Sequence, residues 1–499
     1  MKTRSFSRAG NAIFWRAIQY GGEKVIFLLR LIILAKLLTP NDFGLLAIAG
    51  VAIDFLMRIS DFGMIPALIQ REDASEQHYD AAWTIGVLRA LAITIIVLLT
   101  ANVVADFFAE PRAAGILRAV SLRPLIEASA SIMVTRFARK LDFRSLAFMQ
   151  LPKALTNTIV SIILARWFGV WALVAGVLAG SSMYLVLSYI LAPHWPRVTI
   201  RFGAIRSLAR FGRWVFWTSI IVMVGQSVLR LVIGRQLGAE ELGLYYLAAS
   251  LAFLPADIAS QVVGQVAFPF YSRLQTDIRQ ALVTFQDILI SLFMLILPLL
   301  FLLIVLAPTL VGSVLGPRWE GAAPIIQVLA LAAVIGLLGE TITPILKGTG
   351  RPNNILVIET IQSLLLISLV WALAGRYGVV GAAFAWVPAV ATSQFLGVLY
   401  LRKIFHQPFT GLVLPIVSIT VVSTLTAIIA LTLNNFLPGL FGFLLTSVFS
   451  LFFAGSFLWV LERRFSLGLT AGLARAYPQI AGLLGLGRVG ILPKNGGAP

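Results

Sequence analysis

The side chains most able to do chemistry are ionisable groups set inside long apolar runs. Arg16, Glu23 and Arg30 are spaced by sevens, so on a helix they drift only about 20° per step and share one stripe with Gln19. Lys24 lies beside that stripe. Asp54, Arg58 and Asp61 stand at i, i+4 and i+7, again one helical face. Arg89, Arg118, Arg123, Glu127 and Lys153 complete the set. Arg16, Lys24, Arg30, Arg58, Arg89, Arg118, Arg123 and Lys153 thus oppose only Glu23, Asp54, Asp61 and Glu127, and four acids cannot neutralise eight bases. Surplus positive charge in a low-dielectric cleft attracts anions, and the planar fork of arginine suits bidentate recognition of phosphate oxygens. A pyrophosphate head group would fit such a site. Taken singly, each arginine has a plainer alternative, pairing with Glu23, Asp54 or Asp61 or snorkelling to the membrane surface.

The second half of the chain has a different balance. Arg213 and Arg230 meet Asp257, Asp287, Glu340 and Glu359, with polar stripes through Ser219, Gln226 and Arg230 and through Asp257, Gln261 and Gln265. Its interior reads as neutral to acidic, and Gln226, Gln261 and Gln265 are candidate sugar contacts. Glu23, Asp54, Asp61, Asp257, Glu340 and Glu359 are candidate sites for a proton or Na⁺ that couples transport to an ion gradient. Other chemistries find little support. The three histidines lie in different loops, cysteine is absent, and there is no phosphate-cradling GxxxxGK[ST]. No cofactor is expected.

Charged groups in such surroundings need helices that cross a membrane. A chain of 499 residues that is 59% hydrophobic and only 12% charged has lipid as its main solvent. Apolar stretches of about 20 residues recur along it, the length that spans roughly 30 Å of hydrocarbon as helix. The ten-residue alternation of barrel strands is missing. The net charge of +18 has no soluble basic module to sit on, which argues against a nucleic-acid partner. Fourteen spans are expected, running from 12–35 to 439–461 and including 113–135, 242–268 and 322–346. Lys36, Arg112, Arg166, Arg235, Arg318 and Arg376 are the only basic residues in one set of loops, while the other set and both ends are rich in Lys and Arg. That bias places both termini in the cytoplasm. Pro66, Pro124, Pro255, Pro298 and Pro344 inside spans serve as hinges or as static kinks.

The chain also repeats itself. LAKLLTPNDFGLLAIAG at 34–50 aligns with IGRQLGAEELGLYYLAA at 233–249, pairing Lys36 with Arg235, Asp42 with Glu241 and Gly44 with Gly243. Further along, Phe168-Gly169-Val170 matches Tyr377-Gly378-Val379. The expected fold is all-α, with two six-helix bundles (1–200 and 201–405), two additional helices (406–461) and a cytoplasmic tail (462–499).

The run at 34–50, with SDFGMIPALIQRE (60–72), TRFARKLDFRSLAFMQ (135–150), AFPFYSRLQTD (267–277) and VLGPRWEGAAPIIQVLALAAVIGL (314–337), resembles the Wzx-type oligosaccharide flippases. The likeness is to the colanic acid exporter-like branch of the multidrug/oligosaccharidyl-lipid/polysaccharide superfamily, over about residues 10–405. The resemblance implies a two-lobe protein of the bacterial inner membrane, surrounded by membrane lipids. It would move undecaprenyl-pyrophosphate-linked oligosaccharide between leaflets by ion-coupled alternating access, beside a polymerase and glycosyltransferases of exopolysaccharide, capsule or O-antigen assembly. It maps the family's central basic residues onto Arg16, Arg30, Arg58, Arg89 and Arg123. Two transporter alternatives share the fold, a flippase for the lipid-linked peptidoglycan precursor and a cation-coupled multidrug exporter. A membrane-embedded glycosyltransferase or polymerase would need a long acidic extramembrane loop, and none is present; the expectation is a transporter and not an enzyme.

Overall fold

The computed structural model describes residues 2–60, 65, 68, 75–140, 142–199, 213–273, 278–406, 409–437 and 439–465. Among these residues all regular structure is helical. Among the described residues, eight helices are long and apolar enough to cross a membrane, or nine if one bent pair counts as a single span. That count does not confirm the expected fourteen. The helices α1 (Lys2–Leu37) and α2 (Pro40–Ile59) are long enough too, but Arg16, Glu23, Lys24, Arg30, Asp54 and Arg58 interrupt their apolar character. Large apolar side chains such as Leu99, Val103, Ile163, Val448 and Phe452 are exposed, the pattern of a surface whose solvent is hydrocarbon. The chain is a multi-pass membrane protein.

Contacts divide the chain into two compact units, the first comprising residues 1–247 and 374–379. In it, α1 and α2 are followed by α3 (Glu76–Phe107), α4 (Arg112–Val120), α5 (Leu122–Ala128), a 3₁₀ turn (Ile132–Val134) and α6 (Thr135–Arg139). Then come α7 (Phe143–Phe168), α8 (Val170–Leu191), α9 (Arg213–Gln236) and the first part of α10 (Ala239–Ala252). The single span expected over 113–135 is thus broken into short pieces. Pro124 explains the first break: its ring clashes with the carbonyl of Val120 and it offers no N–H to the turn before it. Ser121 sits at the break, and its carbonyl accepts a hydrogen bond from the Thr94 hydroxyl at 2.7 Å.

Two close approaches hold this unit together. Gly176 and Gly180 form a GxxxG face on α8 that lies directly on α7: a Cβ at Gly176 would fall 1.9 Å from Ser161 Oγ, and one at Gly180 2.8 Å from the Lys153 carbonyl. The second involves the sequence repeat itself. Thr39 caps α2, its hydroxyl accepting from the Asp42 N–H (3.3 Å) while the Asp42 carboxylate accepts from the Thr39 N–H (2.9 Å). One turn later Gly44 meets α10 so closely that a Cβ would lie 1.7 Å from the Ala239 carbonyl oxygen. Gly243, its repeat counterpart, would reciprocally place a Cβ 1.8 Å from the Pro40 carbonyl oxygen. Phe43 and Tyr246 lie beside this crossing, with ring centroids 6.4 Å apart.

The second unit comprises residues 248–373 and 380–499. It holds α11 (Leu254–Arg273), α12 (Ile278–Thr309) with a π-helical extension (Leu310–Leu315), α13 (Ala322–Gly336) and α14 (Gly339–Gly348). Most of α15 (Pro352–Phe384), with α16 (Trp386–Phe405), α17 (Thr410–Phe436) and α18 (Gly439–Phe465), completes it. The spans expected over 242–268 and 322–346 are each two helices. The first bends by 46° just ahead of Pro255; the second breaks at Leu337–Leu338. Pro298 and Pro344, in contrast, sit inside continuous helices. α12 packs on α13 and α17, and Asn434 of α17 donates to the Thr309 hydroxyl at 2.8 Å. The repeat is also visible in the backbone. Gly169 has φ 53°, ψ −128°, and its counterpart Gly378 has φ 62°, ψ −151°, a conformation that only glycine adopts without strain.

Candidate functional site

In the first unit a cavity of about 280 Å³ is walled by α1, α2, α4, α5, α7, α8, α9 and α10. Its charged lining is Arg30, Asp54, Arg123, Glu127, Lys153 and Arg230, with Asn157, Ser181 and Tyr246 as polar neighbours. A second hollow of about 320 Å³ adjoins it, sharing Phe27, Arg30, Lys153 and Asn157 and adding Glu23, Lys24, Gln150 and Thr158.

Local sequence explains how these groups meet. The break at Pro124 lets α5 start afresh, so Arg123 and Glu127 fall one turn apart on the same face. The GxxxG contact draws α8 against α7 beside Lys153 and carries Ser181 to the same place. One carboxylate oxygen, Glu127 Oε1, then accepts from Lys153 Nζ (2.8 Å), Ser181 Oγ (3.0 Å) and Arg123 Nε (3.3 Å). Lys153 also lies over the Tyr184 ring at 5.0 Å. Arg30 is different: its guanidinium stacks on Phe27 at 5.6 Å, and no carboxylate lies within ion-pair distance of it among the described residues. Four cations against two carboxylates leave the cavity with a surplus of two positive charges. A half-enclosed apolar wall makes that surplus felt more strongly than it would be in water.

The remaining basic residues singled out from sequence line neither hollow. Arg16 donates to Gln19 (3.0 Å), which donates to Glu23 (3.1 Å), so the stripe on α1 is a hydrogen-bonded chain. Arg58 is exposed near the end of α2. Arg89 donates to the Ser60 carbonyl (3.3 Å) and Arg118 to the Asn102 side chain (2.9 Å), each tying neighbouring helices together. Asp61 lies outside the described residues. Arg230, read from sequence as part of the second half's interior, instead reaches this cavity because α9 packs on α2. Asn157 and Tyr246 also join the wall; their residue types carry no signal that separates them from ordinary helix residues.

The second unit has its own hollow of about 420 Å³, lined by Ser260, Glu340, Thr343, Lys347, Glu359, Gln362, Ser393 and Gln394 among apolar residues. It gathers two of the acids singled out for ion coupling. Asp257 is exposed and is not part of that lining. Of the glutamines proposed for sugar contact, Gln226 is half-buried away from these hollows, Gln261 is exposed, and the Gln265 side chain lies outside the described residues. No group of three or more His, Asp or Glu is gathered for a metal among the described residues.

Residues 33–324 match the polysaccharide biosynthesis protein family. The chain belongs to that family. Among relatives of this family member, the lipopolysaccharide biosynthesis protein WzxC of Escherichia coli (strain K12) is 24% identical over 361 residues, covering 70% of this chain and 73% of that protein. The succinoglycan biosynthesis transport protein ExoT of Rhizobium meliloti (strain 1021) is 26% identical over 342 residues, 68% of each chain. In fold, this polysaccharide biosynthesis protein is similar to the lipid II flippase MurJ in its inward closed conformation, with a TM-score of 0.73 at 17% identity over 90% of this chain and 99% of that one.

Proposed function

We propose that this chain is a flippase that carries oligosaccharide repeat units, linked through pyrophosphate to an undecaprenyl lipid, across the bacterial inner membrane. The observation that carries the reading is the cavity of the first unit, where Arg30, Arg123, Lys153 and Arg230 outnumber Asp54 and Glu127. A lipid–diphosphate–sugar diester has one ionised oxygen on each phosphorus, and its two negative charges match the surplus of two. Family membership and relatives named for lipopolysaccharide and succinoglycan biosynthesis favour an exopolysaccharide, capsule or O-antigen precursor. The likeness to a lipid II flippase is a likeness of fold and does not by itself favour a peptidoglycan precursor.

The wider mechanism follows the same reading. Both termini face the cytoplasm, the two sequence copies act as lobes in alternating access, and a polymerase and glycosyltransferases work on either side of the step. Glu340 and Glu359, which share a hollow with Lys347, are the favoured sites for a coupling proton or Na⁺. The test is Arg30→Ala in a host that depends on this chain for its surface polysaccharide, with Arg58→Ala, off the cavity, as the matched control. The expected result is loss of polysaccharide in the first variant alone, with both proteins inserted at normal levels. Normal polysaccharide with Arg30→Ala would overturn the reading.

A further inference from the structure

The four cations of the first unit's cavity are not equivalent. Arg123 and Lys153 both contact Glu127 Oε1, at 3.3 and 2.8 Å, so part of their charge is already answered by the protein. Arg30 and Arg230 have no ion pair among the described residues, yet both line the cavity. Keeping an arginine in such a place without a counter-charge is costly unless water or an anion meets it. Arg30 lies on α1 and Arg230 on α9, the helices that open the two sequence copies. The register pairing Leu34 with Ile233 would set Leu229 opposite Arg30, so Arg230 is one residue from the repeat equivalent of Arg30.

We propose that Arg230 is a second phosphate ligand, which together with Arg30 makes the cavity select a diphosphate over a monophosphate. The inference rests on the flippase reading above and deepens it. Two guanidinium groups lining one cavity, arriving from two different helices, suit a ligand that carries two phosphoryls. Each arginine can grip one phosphoryl through paired N–H donors. A monophosphate diester offers one negative charge, engages one arginine and leaves the other unanswered. Specificity then comes from the penalty of the unmatched charge as much as from the added contact. The bridge also makes the bound substrate a tie between α1 and α9, so occupancy of the cavity holds the two copies' first helices together.

The experiment uses the full-length protein in nanodiscs and two synthetic probes with the same tail and sugar, farnesyl-diphospho-N-acetylglucosamine and farnesyl-phospho-N-acetylglucosamine. The unmodified chain is expected to prefer the diphosphate by about tenfold or more, the scale of one charge-assisted contact. Arg230→Ala should weaken diphosphate binding by about 10- to 100-fold while changing monophosphate binding by less than about threefold. The preference should then largely vanish. Arg230→Lys keeps the charge without the fork, should remain monodisperse in detergent, and should show an intermediate preference; it decides the matter if the alanine variant does not fold. If these variants keep the original preference, Arg230 is not a phosphate ligand and the flippase reading stands. If the unmodified chain binds neither probe, the diphosphate site itself is wrong and both conclusions fall.

Discussion

Replacing Gly44 by alanine tests the tightness of the crossing between α2 and α10. The new Cβ would stand 1.7 Å from the Ala239 carbonyl oxygen, whereas an ordinary contact begins at 3.4 Å and real ones are essentially never below 3.0 Å. The helices would have to part by roughly 1 Å or more to reach even a tight contact. The obstacle is helical main chain, which cannot swing aside as the end of a side chain would. Overpacking typically costs about 1–3 kcal/mol, and rigid backbone on both sides puts Gly44→Ala near the top of that range. That is on the order of a 100-fold fall in the ratio of folded to unfolded protein. Gly243→Ala, at 1.8 Å from the Pro40 carbonyl oxygen, should cost about as much. Because one parting of the helices relieves both clashes, the double variant should cost less than the sum by about 1–3 kcal/mol. Unfolding of the three variants and the unmodified chain in detergent, followed by intrinsic fluorescence, measures this coupling. Unmodified stability in Gly44→Ala, or strict additivity in the pair, would refute the geometry.

Other expectations follow from the same contacts. Glu127→Gln removes the counter-charge of Lys153 and Arg123, so stability should fall by roughly 1–3 kcal/mol, discounted because these side chains are partly exposed. The same variant should bind anions more tightly with a steeper salt dependence, and equal affinity at all salt concentrations would contradict the reading. Gly169→Ala and Gly378→Ala should each lose about 1–3 kcal/mol through backbone strain alone; a denaturation midpoint unchanged in both would show that neither turn is as drawn. Glu340→Gln or Glu359→Gln should abolish acceleration of lipid-linked sugar flipping in proteoliposomes by an imposed proton or Na⁺ gradient. A full response to either gradient in both variants would remove these residues from coupling.

Much of this fold was legible because lipid imposes strong rules. Long apolar runs read as helices, and the repeat at 34–50 and 233–249 marked Gly44 and Gly243, which prove to pack on each other's helices. The split of 113–135 was foreshadowed by Pro124 but not located by it, since membrane helices often absorb a proline, as Pro298 and Pro344 show. The set of basic residues was readable as a surplus. Which of them share a cavity was not, because that depends on how helices rotate and dock. Lys153 joins Arg30 because α1 packs directly on α7, whereas Arg118 and Arg89 turn to polar groups on adjacent helices. Arg230 could not have been assigned to the first unit by composition at all; only the seat of α9 on α2 brings it there.

The mutual seating of Gly44 and Gly243 also separates two kinds of seam. The repeat expected from the sequence puts a seam near residue 200, whereas contacts divide the chain after Leu247, well inside the second copy. Two coexpressed fragments cut at the duplication seam would strip the first of α9, of the glycine socket and of Arg230. A cut at Phe253, where α10 gives way to α11, would keep all three with their partners. The two repeated segments depend on each other, because a side chain added at either glycine meets the main chain of the helix that carries its twin.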